Sequence, residues 1–173
     1  RIDFMERALV GNISIFTELT KLSEDDFKLE FGHDDLVREE IHMDYSSLEE
    51  VALTQQLVQI ESSNPGTYEG NVSDFVYEWL SKNTCAEVVR EKVHDGRYNV
   101  IAKLHGKVSS PNLVYICHMD TVPIGDGWHC DALKADIVNG KMYGRGSCDM
   151  KSGLAAGMLA FRNIAAMKTE LAH

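Results

Sequence analysis

Proline is scarce in this sequence, three residues in 173, and cysteine is nearly so, at four. With 44% hydrophobic residues, the low proline count excludes collagen-like and disordered classes and leaves a globular chain with material for a core. Cys85, Cys117, Cys130 and Cys148 form no CxxC pair and are too sparse for a disulfide scaffold, so reduced thiols and a cytoplasmic location are expected. No apolar run approaches the roughly 20 residues of a membrane span, and no basic-then-apolar signal opens the chain. Positive charge is also short: 17 Lys and Arg against 27 Asp and Glu leave a net charge of −10. An acidic surface argues against a nucleic-acid backbone as partner. The chain opens on Arg1 and stops at His173 directly after a helix-like segment, so it reads as a piece of a longer one.

The charge divides the chain. Residues 1 to 50 hold 14 acids against 5 Lys or Arg, whereas the rest is nearly balanced, 13 against 12. Two units are expected: an acidic, helical segment over 1–46 of unknown role, and a second unit over 47–173. In the first, Ser23 before Glu24-Asp25-Asp26 reads as a helix N-cap, and Glu39-Glu40 as a solvated helix face.

In the second unit, Ser47-x-x-Glu50 is a capping box ahead of a helix from about 48 to 61. "SSNPGTYEG" is a turn-rich loop, and Ser73 caps a helix carrying Phe75, Val76, Trp79 and Leu80 at helical spacing. "AEVVREKV" and "YNVIAKLHG" pair as a hairpin through Asp95-Gly96, and "ADIV" and "KMYG" through Asn139-Gly140. The uncharged run 113–118 predicts a buried strand, and a last helix is expected from about Ser152 to Lys168. This order describes an α/β domain with a mixed β-sheet flanked by helices, in which ligands gather at the carboxyl ends of the strands.

Two clusters stand where chemistry would be expected. The strand-like run ends in His118-Met119-Asp120, and an i, i+2 spacing puts both side chains on one face, about 6.5 to 7 Å apart along an extended chain. A metal-bound imidazole usually donates its second N–H to a carboxylate, so this pairing suits a metal ligand and its support. The second cluster is "YGRGSCDMKSG", where Asp149 precedes an apolar helix. Asp149 could simply cap that helix, but its two oxygens could equally bridge two cations. A third arrangement, Cys117-His118 with His129-Cys130 as a structural zinc site, is disfavoured because adjacent residues on an extended chain point to opposite faces.

HMDTVP followed about thirty residues later by GRGSCDMKSG resembles the zinc-dependent aminoacylase and carboxypeptidase family, which includes acetylornithine deacetylase and succinyl-diaminopimelate desuccinylase. The likeness covers about residues 47 to 173, with Gly127-Trp128 ahead of Asp131 among its marks. It implies a zinc-peptidase-like catalytic domain, incomplete here, holding two Zn2+ ions, with Co2+ or Mn2+ also suited to such ligands. It implies His118 as a ligand of one metal, Asp149 as the bridge, and Asp120 as the catalytic acid that orients His118. Arg145 and Lys151 would support the loop. The reaction implied is hydrolysis of an amide in an N-acyl amino acid or small peptide by a metal-activated water. Oligomeric state stays open, a homodimer being one option for the full-length protein.

The pattern is incomplete. The family's Glu-Glu general base and its remaining metal ligands lie downstream of the last helix, at positions absent from this chain, so this chain alone is expected to be inactive. Cys130-Asp131-Ala132-Leu133 departs from the Asp-Pro-Phe common in relatives. The alternative is a truncated or degenerate relative without catalysis, acting as a binding module through its acidic segment.

Overall fold

The computed structural model describes residues 48–107 and 113–167. The helical turns expected around Ser23 and Glu39-Glu40 lie outside the described residues, as do Ser47 of the capping box and Lys168 at the expected end of the last helix. The described chain is α/β, with three helices and two small antiparallel hairpins.

Helix α1, Glu49–Gln59, follows Leu48, whose extended backbone provides no side-chain cap. It buries Leu53, Thr54, Leu57 and Val58 on one face, as the i, i+4 spacing dictates. Helix α2, Gly70–Asn83, starts earlier than the sequence suggested. Ser73 is therefore not its cap: it sits in the first turn, where its hydroxyl donates to the Gly70 carbonyl at 2.6 Å and accepts from Arg90 Nε at 3.0 Å. A fully buried serine is better satisfied by those two partners than by a solvent-facing capping role.

Strands β1, Glu87–His94, and β2, Arg97–Lys103, form the first hairpin in the register Glu87↔Lys103 to His94↔Arg97. Alternation turns Val88, Val100 and Ala102 toward the core and sets Ile101 and Val89 outward. Strands β3, Asp136–Val138, and β4, Lys141–Tyr143, form the second around Asn139-Gly140, both at positive φ as a tight hairpin turn requires. Helix α3, Ser152–Ala166, buries Leu154, Ala155, Met158 and Leu159. These four join Leu53, Leu57, Val72, Val76 and Leu80 in one core between the three helices and the inner face of the first hairpin.

The expected strand at 113–118 is not hydrogen-bonded as one. The segment is extended and alternates, with Cys117 and Met119 packed on the core and the Tyr115 ring close against Gly157 of α3. No described residue pairs along its backbone until Thr121, which makes the one parallel bridge among the described residues, to Ser63. Leu113, Val114, Tyr115 and Ile116 are 66 to 85% exposed. A strand exists only through neighbours that accept its ladder bonds, and for the same reason the described sheets are antiparallel hairpins and not one mixed sheet.

Leu57 is fully buried, so Leu57→Ala should cost about 2–5 kcal/mol of unfolding free energy by urea denaturation. Ile116→Ser, at a side chain 85% exposed, should stay within about 0.5 kcal/mol of the parent.

Candidate metal centre

The two sequence clusters meet in space. His118 Nε2 lies 2.9 Å from Asp149 Oδ1, across 31 residues of chain. On the other side of the ring, Nδ1 is 2.9 Å from the Asp120 backbone carbonyl and 3.5 Å from Asp120 Oδ1. His118 and Asp120 therefore share a side of the extended segment, as the i, i+2 spacing predicts, while Cys117 turns to the core.

Local packing explains the convergence. The end of the extended segment is tied to the loop after α1: Thr121 N–H donates to the Ser62 carbonyl at 2.9 Å, Asn64 N–H to the Thr121 carbonyl at 2.8 Å, and Ser62 Oγ to the Met119 carbonyl at 2.9 Å. The strand β4 exit is pressed against α1 at Gly144, where a Cβ would stand 2.5 Å from Val58 Cγ1. At Gly146, φ is +84° and a Cβ would meet Thr121 Cγ2 at 2.6 Å, so only glycine lets the turn lie against the segment that carries His118.

The turn that follows, Ser147–Lys151, is not regular helix. Asp149 and Met150 have non-helical backbone, joined by a cis peptide bond, before α3 begins. Asp149 accordingly does not cap α3. Its carboxylate bonds His118 and is 87% exposed, with His118 at 45%. Lys151 closes the turn: its N–H donates to the Gly146 carbonyl at 2.9 Å, and its buried Nζ donates to the Ile60 carbonyl at 2.6 Å. Burial lowers the Lys151 pKa to about 8, with the Glu61 charge opposing. Arg145 points away from the site, donating to the Ile124 carbonyl at 2.7 Å and lying over the Trp128 ring.

The electrostatics of His118 follow from its two neighbours. A carbonyl and a carboxylate oxygen can only accept, and a neutral imidazole has a single N–H to give. Both 2.9 Å contacts are satisfied together only by an imidazolium or by another cation at Nε2. Burial disfavours charge on the ring, but the Asp149 hydrogen bond, then the Asp120 carbonyl and the two carboxylate charges, outweigh it and raise the pKa above the usual 6.5.

The donor set also suits a metal. Zinc binds imidazole nitrogen and carboxylate oxygen at about 2.0–2.2 Å, so two ligands on one tetrahedral ion stand about 3.3 Å apart. The 2.9 Å separation is of that order, and Nδ1–H is held by a backbone carbonyl, which leaves Nε2 as the free donor. Among the described residues, no group of three or more His, Cys, Asp and Glu is assembled, so these two stand without further ligands there.

Several residues around the site carried no mark in the sequence. Asn64 Nδ2 donates to Asp120 Oδ2 at 2.8 Å, and Arg97 Nη2 is 3.7 Å from the same oxygen. Met150 Sδ accepts from the His118 N–H at 3.4 Å. Asn64 looked like turn chemistry and Arg97 like part of a hairpin, and only contacts across the fold distinguish them.

An imidazole and a carboxylate, each delivered by a different motif, thus meet at the edge of an α/β core. Residues 114–173 match peptidase family M20/M25/M40. Over that part, about a third of its length, the chain resembles this family. It is 32% identical over 114 residues to a succinyl-diaminopimelate desuccinylase of Aliarcobacter butzleri (strain RM4018), covering 65% of this chain and 30% of that protein. To the enzyme of the same name from Sulfurimonas denitrificans (strain ATCC 33889 / DSM 1251) it is 34% identical over 114 residues, 65% of this chain and 29% of the other. To that from Sulfurovum sp. (strain NBC37-1) it is 52% identical over 46 residues, 27% of this chain and 12% of the other. The chain thus spans about 30% of the length of the first two relatives.

A raised pKa on His118 fixes the sign of one pH effect. In the metal-free chain the charged pair contributes its full stability below the ordinary value of 6.5 and loses it as pH rises through the raised folded value. Asp149→Asn removes the main partner holding the proton, so the His118 pKa followed by NMR titration should fall in that variant. An equal or higher value would contradict the contact.

Proposed function

We propose that this chain supplies part of the catalytic domain of a metal-dependent amide hydrolase acting on an N-acyl amino acid or small peptide. The observation that carries the reading is the 2.9 Å approach of His118 Nε2 to Asp149 Oδ1 while Nδ1 faces the Asp120 carbonyl, two contacts that only a cation satisfies together. His118 would be a ligand of one divalent ion and Asp149 the bridging ligand, as the family resemblance implies. Zn2+ is the first expectation, with Co2+ and Mn2+ suited to the same donors. When bound, such a pair lowers the pKa of water and stabilises negative charge developing on a carbonyl oxygen.

The chain's own residues prepare that site. Asp120 keeps the His118 proton on Nδ1 through its carbonyl and places a carboxylate beside it. The open side of Asp149 leaves room for substrate. The relatives' names speak of removing a succinyl group from diaminopimelate, which favours an N-acyl amino acid as the substrate class. Four free thiols fit a cytoplasmic setting. Residues 1–46 form a separate acidic segment in this reading, and the full-length protein would follow its family in carrying the general base and remaining ligands downstream. We expect this chain by itself to be inactive.

Isothermal titration with Zn2+ tests the reading. Weak binding is expected, and His118→Ala or Asp149→Ala should each reduce the affinity by about tenfold or more, at least what loss of a supporting residue costs. Tight binding that survives both substitutions together would instead identify a Cys/His zinc module. Turnover of N-succinyl or N-acetyl amino acids by this chain alone at the rate of a full-length relative would overturn the assignment of the base to the downstream part.

A further inference from the structure

The Asp120 carboxylate is gripped from the side away from His118. Its Oδ2 accepts from Asn64 Nδ2 at 2.8 Å and faces Arg97 Nη2 at 3.7 Å, which leaves Oδ1 directed at His118 Nδ1 at 3.5 Å. Both holders are themselves anchored. Asn64 is clamped through its backbone N–H to the Thr121 carbonyl, next to the residue it holds. Arg97 donates from Nε to Glu69 Oε1 at 2.9 Å, with its guanidinium over the Tyr68 ring. Glu69 is largely buried, and its other oxygen, Oε2, has no hydrogen-bond partner, so Arg97 is its one ion-pair partner among the described residues.

The neutral imidazole has two tautomers, and each ring nitrogen has its own acceptor. With the proton on Nε2 the ring would donate to Asp149; with the proton on Nδ1 it donates to Asp120. A metal ligand through Nε2 needs the second form. The negative oxygen kept beside Nδ1 favours that form, and Asn64 and Arg97 are what keep it there.

We infer that Asn64, backed by Arg97, is a positioning residue that holds the Asp120 carboxylate so that His118 carries its proton on Nδ1 and presents a bare Nε2. The use of this arrangement rests on the metal-centre reading above, but its test does not. Loss of Asn64 frees the carboxylate to turn away, and the Nε2–H tautomer then gains because Asp149 remains to accept it.

Long-range 1H–15N spectra of the histidine-labelled, metal-free chain, taken above the titration of the ring, report the two tautomers directly. Asn64→Leu removes the amide donor at similar size without adding charge; Asn64→Ala removes it together with the side chain. Both are expected to raise the Nε2–H to Nδ1–H ratio of His118 by about twofold or more. The same variants should weaken Zn2+ binding by up to about tenfold. The double variant Glu69→Gln with Arg97→Gln, which leaves no carboxylate charge behind, should shift the ratio in the same direction by less. An unchanged ratio in an Asn64 variant whose amide spectrum otherwise matches the parent overturns the inference. So does unfolding of both Asn64 variants, since the residue would then hold the fold and not the carboxylate. A shifted ratio in a chain that takes up no Zn2+ would leave the positioning role standing and remove the metal reading alone.

Discussion

Everything functional in this structure depends on one electrostatic constraint: an imidazole ring pinned between two oxygen acceptors. Asp120 offers a carbonyl to one ring nitrogen and Asp149 a carboxylate to the other, each at 2.9 Å. Two acceptors and one neutral ring leave a deficit of one positive charge, which a proton or a metal ion can fill. The place is partly open to water, so the charge is exchangeable and not locked in. A site that must be charged to be satisfied, yet can trade its cation, is suited to holding a catalytic metal.

The fold maintains that constraint through close backbone packing and little else. Gly144 lets the β4 exit touch Val58 of α1, and Gly146 lets the turn before α3 lie on Thr121. Lys151 reaches through the core to the Ile60 carbonyl and ties the turn bearing Asp149 to the end of α1. The same end of α1 leads into Ser62 and Asn64, which grip the segment bearing His118. Helix α1 is thus the common support of both motifs. Its core residues, Leu53 and Leu57, act on the site at one remove, because any shift of the helix moves both His118 and Asp149.

Elements whose signal is local were readable from the residues. Asp-Gly and Asn-Gly between alternating apolar runs specified two hairpins, and the apolar spacing of α2 placed Val76 and Leu80 on its buried face. The errors fell where the outcome depends on distant partners. Ser73 looked like a cap, but a buried serine bonded to Arg90 and Gly70 lies inside the helix. The run Leu113 to Ile116 looked like a buried strand, because its composition is that of one, but burial needs neighbouring strands that the described residues do not supply. Asp149 could be read equally as a cap or a ligand; it does not cap α3, and its carboxylate meets His118. Asn64 and Arg97 gave no sign at all, since nothing in a turn asparagine or a hairpin arginine announces a carboxylate across the fold.

Residue order alone settled which side chains are available for chemistry and on which face they lie. The alternation of an extended chain puts His118 beside Asp120 and opposite Cys117, whatever surrounds them. It also settled where glycine permits a close approach. Which of those side chains meet was decided by tertiary packing. The 31-residue separation of His118 and Asp149 allows many distances, and only the shared seat on α1 reduces them to a hydrogen-bonding one. Local geometry is set by sterics within a few residues, whereas convergence comes from burying apolar faces far apart in the chain, and a short motif cannot carry that information.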